Sequence, residues 1–401
     1  MSQEQRRARG EIRGLTGLRA VAALWVVAHH FWLFAPAEPW LRHLEPVGPL
    51  LRNGWLGVDL FFVLSGFVLA HNHVAVLGDR PGIRATAGFY WARLSRIWPT
   101  WMVVLTAVTA GLLVERQVLG EQPGSPLDAP TVLRQVLLVQ VWDRPDHSAT
   151  GPVGPGWSLS AEWLAYLAFP VLALVLHRLR RFRPTTLAVL ALAAVTPFAY
   201  RCLTLGTHDW AWSWLLRLAG GFLAGALVAL CVDRLRGRAT VARAAARATS
   251  AASVLTLVAV WEADASGADR GGVAVLLFPV LVGGLALSDR GPARWLSRPV
   301  VVLGGRISFA LYLVHMGVFE TCWTLLDVVP VSGPSPVATL LSLAVAGLPL
   351  PAAWVLWRLV EEPARRRLLL LDPTRRADRL GTTGPRGGER FGADAPVPVR
   401  G

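Results

Sequence analysis

A chain of 401 residues that is 53% hydrophobic and 16% charged, with a mean hydropathy of +0.45, is too apolar for a soluble domain of this size. The net charge of +14 comes from Arg without any Lys, and these arginines gather beside apolar runs, which argues for membrane topology and against a nucleic-acid partner. Cys202, Cys231 and Cys322 form no paired motif and sit in or beside apolar runs, so they are expected to pack, with no disulfide and no metal site.

The first apolar run, 15–35, follows the basic residues Arg6, Arg7 and Arg9. Ala35, Pro36 and Ala37 resemble a signal-peptide cleavage site, but the run is long for a signal core and many spans follow, so it is expected to remain as the first span. Further apolar segments fall at about 54–74, 97–114, 158–177, 185–200, 211–232, 249–262, 271–288, 300–326 and 336–360, which predicts an all-α integral membrane protein with about ten transmembrane helices. The connections alternate in charge. Arg84, Arg93 and Arg96, then Arg178, Arg180, Arg181 and Arg183, then Arg234, Arg236 and Arg238, then Arg290, Arg294 and Arg298 mark the basic ones, and those between are balanced or sparse. The positive-inside rule therefore puts both termini in the cytoplasm, in a plasma-membrane protein.

Three regions follow: a cytoplasmic segment 1–14, a transmembrane domain 15–371, and a Gly-, Pro- and Arg-rich tail 372–401 expected to be disordered. The 133–142 stretch is too short to span and is expected at the outer interface. Trp55, Trp98, Trp157 and Trp210 lie near span ends, where aromatic belts form. No repeat of fixed period is visible.

Ionisable residues inside spans are costly and normally face a partner or a cavity. Arg19 and His30 are 30 − 19 = 11 residues apart, so they share one helix face about 16 Å apart along the axis. His29 points about 100° away, which argues against a two-histidine metal site on this helix. Asp59, in "GWLGVDLFFVLSGF", is expected at the depth of His30, where a carboxylate could orient the imidazole. Arg93 and Arg96 stand at i and i+3 on one face near the cytoplasmic surface. That pair suits a phosphate, although on spacing alone topology charge or contact with anionic lipid is the better explanation. Glu162, in "WSLSAEWLAY", is expected at the outer edge as a second acid/base or a helix N-terminal charge. His315, in "ISFALYLVH", is a further histidine within a span.

The Arg19-x10-His30 helix, "GVDLFFVLSGF", "ARLSRIWP", "WSLSAEWLAY", "ISFALYLVH" and "EEPARR" together resemble, in order and over nearly the whole chain, the integral membrane acyltransferases of the acyltransferase-3 type. The resemblance implies transfer of an acyl group, most commonly acetyl, from cytoplasmic acyl-CoA to a hydroxyl of a glycan, a lipid or a small molecule such as a macrolide. It matches Arg19, Arg93 and Arg96 to donor phosphates, and His30, Glu162 and His315 to the reaction centre, with His30 as general base or transient acyl carrier. It implies no cofactor beyond acyl-CoA as co-substrate, and no metal. One departure is Trp163, which stands where a second acidic residue often follows the glutamate. No appended soluble module is recognisable, so the membrane domain itself is expected to handle the acceptor. A transporter or flippase with an Arg/His/Asp-lined path is the competing reading, and the lack of a repeat weighs against it.

Overall fold

The computed structural model describes residues 11–35, 39–79, 82–119, 126–147, 150–267, 269–328, 335–372 and 374. The basic stretch 6–9, nearly all of the 372–401 tail and the Arg-free loop 331–334 lie outside the described residues. What is described is helical, without strands. Nine helical stretches are long and apolar enough to cross a membrane, and a shorter apolar stretch, Gly271–Leu287, joins them. The chain is a multi-pass membrane protein.

The principal helices are α1 (Arg13–Phe34), α2 (Leu56–Leu77), α3 (Ile83–Leu119), α4 (Gly156–Leu179), α5 (Pro184–Leu205), α6 (Ser213–Leu235), α7 (Ala239–Ala265), α8 (Phe278–Leu287), α9 (Pro299–Val328), α10 (Pro336–Gly347), α11 (Pro349–Leu356) and α12 (Glu362–Leu370). Proline opens several of them, at a position whose N–H has no helical partner in any case. Gly206, at φ 67°, closes α5 with a backbone bond to the Cys202 carbonyl. Helices α10 to α12 form one continuous stretch, interrupted by a π-turn at Trp357–Glu361.

Side-chain pairings fix the helix directions. Thr16 abuts Gly305, Arg19 bonds Ser308, and Phe31 meets Phe319 edge to face, so α1 and α9 run parallel. Gly54 meets Trp25 and Gly57 meets Ala22, so α2 runs antiparallel to α1. Asp59 with Arg217 and His71 with Asp233 make α6 parallel to α2, and Ser65 with Glu162 together with Gly78 against Ala173 make α4 parallel to it as well. For α9 to run with α1, the 17-residue Gly271–Leu287 stretch must cross too. Its contacts agree: Gly272 touches Cys202 at one end, and Leu285 touches Gly14 at the other. We call the Glu11 and Arg306 end basal and the Phe34 end distal.

Lipid gives helices no hydrophobic reason to associate, so close backbone approach carries the packing. Gly66 and Gly225 let α2 and α6 touch backbone to backbone, where any Cβ would collide with the Phe222 and Val63 carbonyls. Gly305 does the same for α9 against Thr16 of α1. The 133–142 segment folds inward instead of lying at the interface. Its helix, Ala129–Leu137, is capped by Asp128, and the buried Gln135 and Gln140 donate to the Thr150 and Gly156 carbonyls.

Candidate active site

The α1–α9 seam holds the polar residues of the first helix. At the basal end Glu11 accepts from Arg306 at 2.8 Å, and that guanidinium holds its carboxyl below the ordinary glutamate range. About two turns along from Glu11, Arg19 donates through Nε to Ser308 at 3.4 Å and lies 5.8 Å from the Phe61 ring. It also lines a cleft of about 200 Å³ between α1 and α2 that opens beside Glu11.

Three turns above Arg19, His30 meets His315. His315 Nε2 is 3.2 Å from His30 Nδ1, and the ring centroids are 5.0 Å apart. The proton arrangement follows from the acceptors around the rings. His315 Nδ1 faces the Leu311 carbonyl at 3.2 Å, and His30 Nδ1 faces the Val26 carbonyl at 3.0 Å. A carbonyl can only accept, so in two neutral imidazoles each Nδ1 carries the hydrogen. His315 Nε2 is then a lone pair facing the His30 Nδ1–H. His30 Nε2 is left as the free base of the pair. Below, Tyr312 OH sits 2.6 Å from Ser158 Oγ, which ties α9 to the start of α4 and steadies this part of the seam.

The arginines of the third span converge on Arg19. Arg93 and Arg96 are half-buried, and the Arg93 guanidinium lies 5.9 Å from both the Phe89 and the Tyr166 rings. Its buried Nε has no hydrogen-bond partner. Arg19 interacts electrostatically with Arg96, Glu162 and Glu361, and Arg93 with Tyr166, Arg96 and Arg365. Among the described residues, none of Arg19, Arg93 and Arg96 has a carboxylate within ion-pair distance. A half-buried group of three arginines with Glu162 and Glu361 nearby, but with no carboxylate in direct ion-pair contact among the described residues, leaves guanidinium donors open to an anion.

Three expectations change. Asp59 does not orient His30: both its oxygens are taken by Arg217, at 3.0 and 2.8 Å, because that face of α2 packs on α6 and not on α9. Trp55, expected in an interfacial belt, is buried against this pair, with Arg217 5.1 Å from its ring and His208 stacked on it. Glu162 is not paired with the histidines. It accepts from Ser65 and, at 2.6 Å, from Tyr166, and it faces the arginine cluster. His29 behaves as its helix angle requires, turning away to the Leu51 carbonyl at 2.9 Å.

Arg217 and Glu361 are absent from the sequence reading. Arg217 stands alone in the apolar run 211–232, and that isolation was the available signal. Glu361 belongs to "EEPARR" and is buried at the π-turn with one oxygen unbonded. As for metals, Asp146, His147 and Asp209 bring ligand atoms within 4.8 Å of one another, and neither His30 nor His315 belongs to that group.

Residues 12–358 match the acyltransferase domain of the acyltransferase-3 family, most of the chain. The chain belongs to that family. It is 28% identical to acyltransferase MdmB of Streptomyces mycarofaciens over 324 residues, which cover 76% of this chain and 78% of the relative. It is also 28% identical over 173 residues to "Putative O-acetyltransferase SACOL0978" of Staphylococcus aureus (strain COL), covering 41% of this chain and 25% of that one. No solved structure matches. Membership of an acyltransferase family implies an acyl donor and a hydroxyl-bearing acceptor.

Proposed function

We propose that this protein is a plasma-membrane O-acyltransferase that takes an acyl group, most simply acetyl, from acyl-CoA and esterifies a hydroxyl of a glycan, lipid or secreted small molecule. The observation that carries the reading is an arginine cluster with no carboxylate in direct ion-pair contact among the described residues, one member of which, Arg19, lies three turns below an imidazole on the same helix. The alternation of Arg-rich connections makes the basal end cytoplasmic, so the cluster faces the compartment that supplies acyl-CoA.

In this reading Arg19, Arg93 and Arg96 hold the donor phosphates, and the pantetheine arm runs distally along the seam. His30 Nε2 takes the proton of the acceptor hydroxyl as its oxygen attacks the thioester carbon. The C–S bond breaks, and the proton passes from His30 to the departing thiolate. His315 Nε2 accepts from His30 Nδ1–H throughout and stabilises the imidazolium that forms in between. Glu162, bound to Ser65 and Tyr166, sets the charge balance of the arginine cluster and is not a second base.

Purified protein in nanodiscs, given isotope-labelled acetyl-CoA and a panel of hydroxyl acceptors, should release free CoA in step with label appearing as ester. Transport of an unmodified solute with no thiol release for any acceptor would favour the flippase reading instead.

A further inference from the structure

The last span ends in "EEPARR", which carries two glutamate–arginine pairs at the same i, i+4 spacing. They behave differently. Glu362 and Arg366 close on each other at 2.6 Å on the exposed face of α12. Glu361 and Arg365 stay open: among the described residues neither makes a hydrogen bond or an ion pair. Glu361 is only 6% exposed, with Oε2 unbonded, and Arg365 is half-buried.

Two contacts set how this end of the chain lies on α3. Thr374 faces Gly88, and Trp91 Nε1 donates to the Leu368 carbonyl at 2.7 Å, so the two segments run antiparallel. Continued by about one and two turns, that pairing brings Arg365 and Glu361 to the level of Arg93 and Arg96. The charges agree. Arg96 acts on both Arg365 and Glu361, Arg365 acts on Arg93, and Arg19 acts on Glu361. A π-turn adds one residue to a helical turn and so rotates all that follows by about 100°. The π-turn at Trp357–Glu361 therefore fixes that Arg365, and not its exposed neighbour Arg366, meets the arginines of α3.

Placing one guanidinium beside another is unfavourable, and the glutamate one turn back on its own helix would relieve it. Arg366 takes that relief and Arg365 does not. A half-buried arginine held in this way keeps its planar fork open to an anion bound between it and Arg96.

We propose that Arg365 is a fourth ligand of the donor phosphates, reaching them from the last span while Arg93 and Arg96 reach them from α3. CoA carries a ribose phosphate as well as a diphosphate, so it offers anionic oxygens to arginines on two spans. That the anion is CoA rests on the transferase reading.

The test is equilibrium binding of CoA to the full chain in phosphatidylcholine nanodiscs, whose headgroups carry no net charge, with Arg365→Ala and Arg366→Ala compared. Each variant removes one cation from the same end of the same helix, so a role in topology or in general basic charge predicts equal effects. Arg365→Ala should weaken binding by roughly ten- to a hundredfold, the loss of one charge-assisted contact, and Arg366→Ala should leave it unchanged. Arg365→Gln keeps a polar stem without the charge; it should match Arg365→Ala and decides the question if alanine prevents insertion. Equal binding by the Arg365 and Arg366 variants, whether weakened or intact, overturns the proposal. If Arg93→Ala and Arg96→Ala lose CoA while Arg365→Ala does not, this inference fails and the transferase reading stands. If the wild-type protein binds no CoA, both fail.

Discussion

Two seams of this bundle bury charge in the membrane and treat it in opposite ways. At the α2–α6 seam Arg217 and Asp59 satisfy each other through two hydrogen bonds, enclosed by Trp55, Trp157 and Phe198 and by helices that touch through glycine. At the α1–α9 seam Arg19 bonds a serine, lies beside a ring and has Glu162 and Glu361 near it without a direct ion pair, and His30 keeps one nitrogen free. A buried charge whose partner is built in belongs to the scaffold, because there is nothing left for it to bind. A charge left without its counter-ion is held for a ligand, and the cost of leaving it so has to be borne by the scaffold around it.

The comparison breaks most sharply at His30. His30→Ala should lower transfer by about 10²–10⁴-fold, the worth of a general base, with unchanged thermal unfolding, since alanine suits a spanning helix. Full transfer activity at normal expression would make His30 a packing residue like any other. At the other seam the sign is reversed. Asp59→Ala should destabilise the protein by about 3–5 kcal/mol, because it strands the Arg217 charge in the core, and should show first as lost monodispersity and a lower unfolding temperature. A variant that stays stable yet loses catalysis would move Asp59 back towards the reaction centre. His29→Ala should be the mildest, about 1 kcal/mol or less of stability for one hydrogen bond to the Leu51 carbonyl, with transfer near wild type. A loss as large as that of His30→Ala would mean that general polarity, not the face, matters.

How legible this was in the sequence depends on the range of the interaction. Helix period alone put Arg19 and His30 on one face and turned His29 away, because both facts lie within a single helix. The sequence also marked His315 as an ionisable group needing a partner. It could not show that the partner was His30, since that follows from α1 and α9 running parallel, 285 residues apart in the chain. Asp59 shows the same limit from the other side. Its depth was misread, because Gly57 meets Ala22 and so sets Asp59 nearer the level of Arg19 than of His30, and its face meets α6, which offers an arginine. Arg217 was itself legible as a lone cation in an apolar run. The convergence of Arg93 and Arg96 on Arg19 was not, because it depends on how α3 lies against α1 and α4.

The most direct test is equilibrium binding of CoA to the wild-type protein and to Arg93→Ala, Arg96→Ala and His30→Ala, each in nanodiscs. If the unpaired arginines hold the donor, losing one charge-assisted contact should weaken binding by roughly ten- to a hundredfold, about 1.5–3 kcal/mol, while His30→Ala binds CoA as tightly as wild type. Arginine variants that bind CoA as well as wild type would contradict the account at its centre.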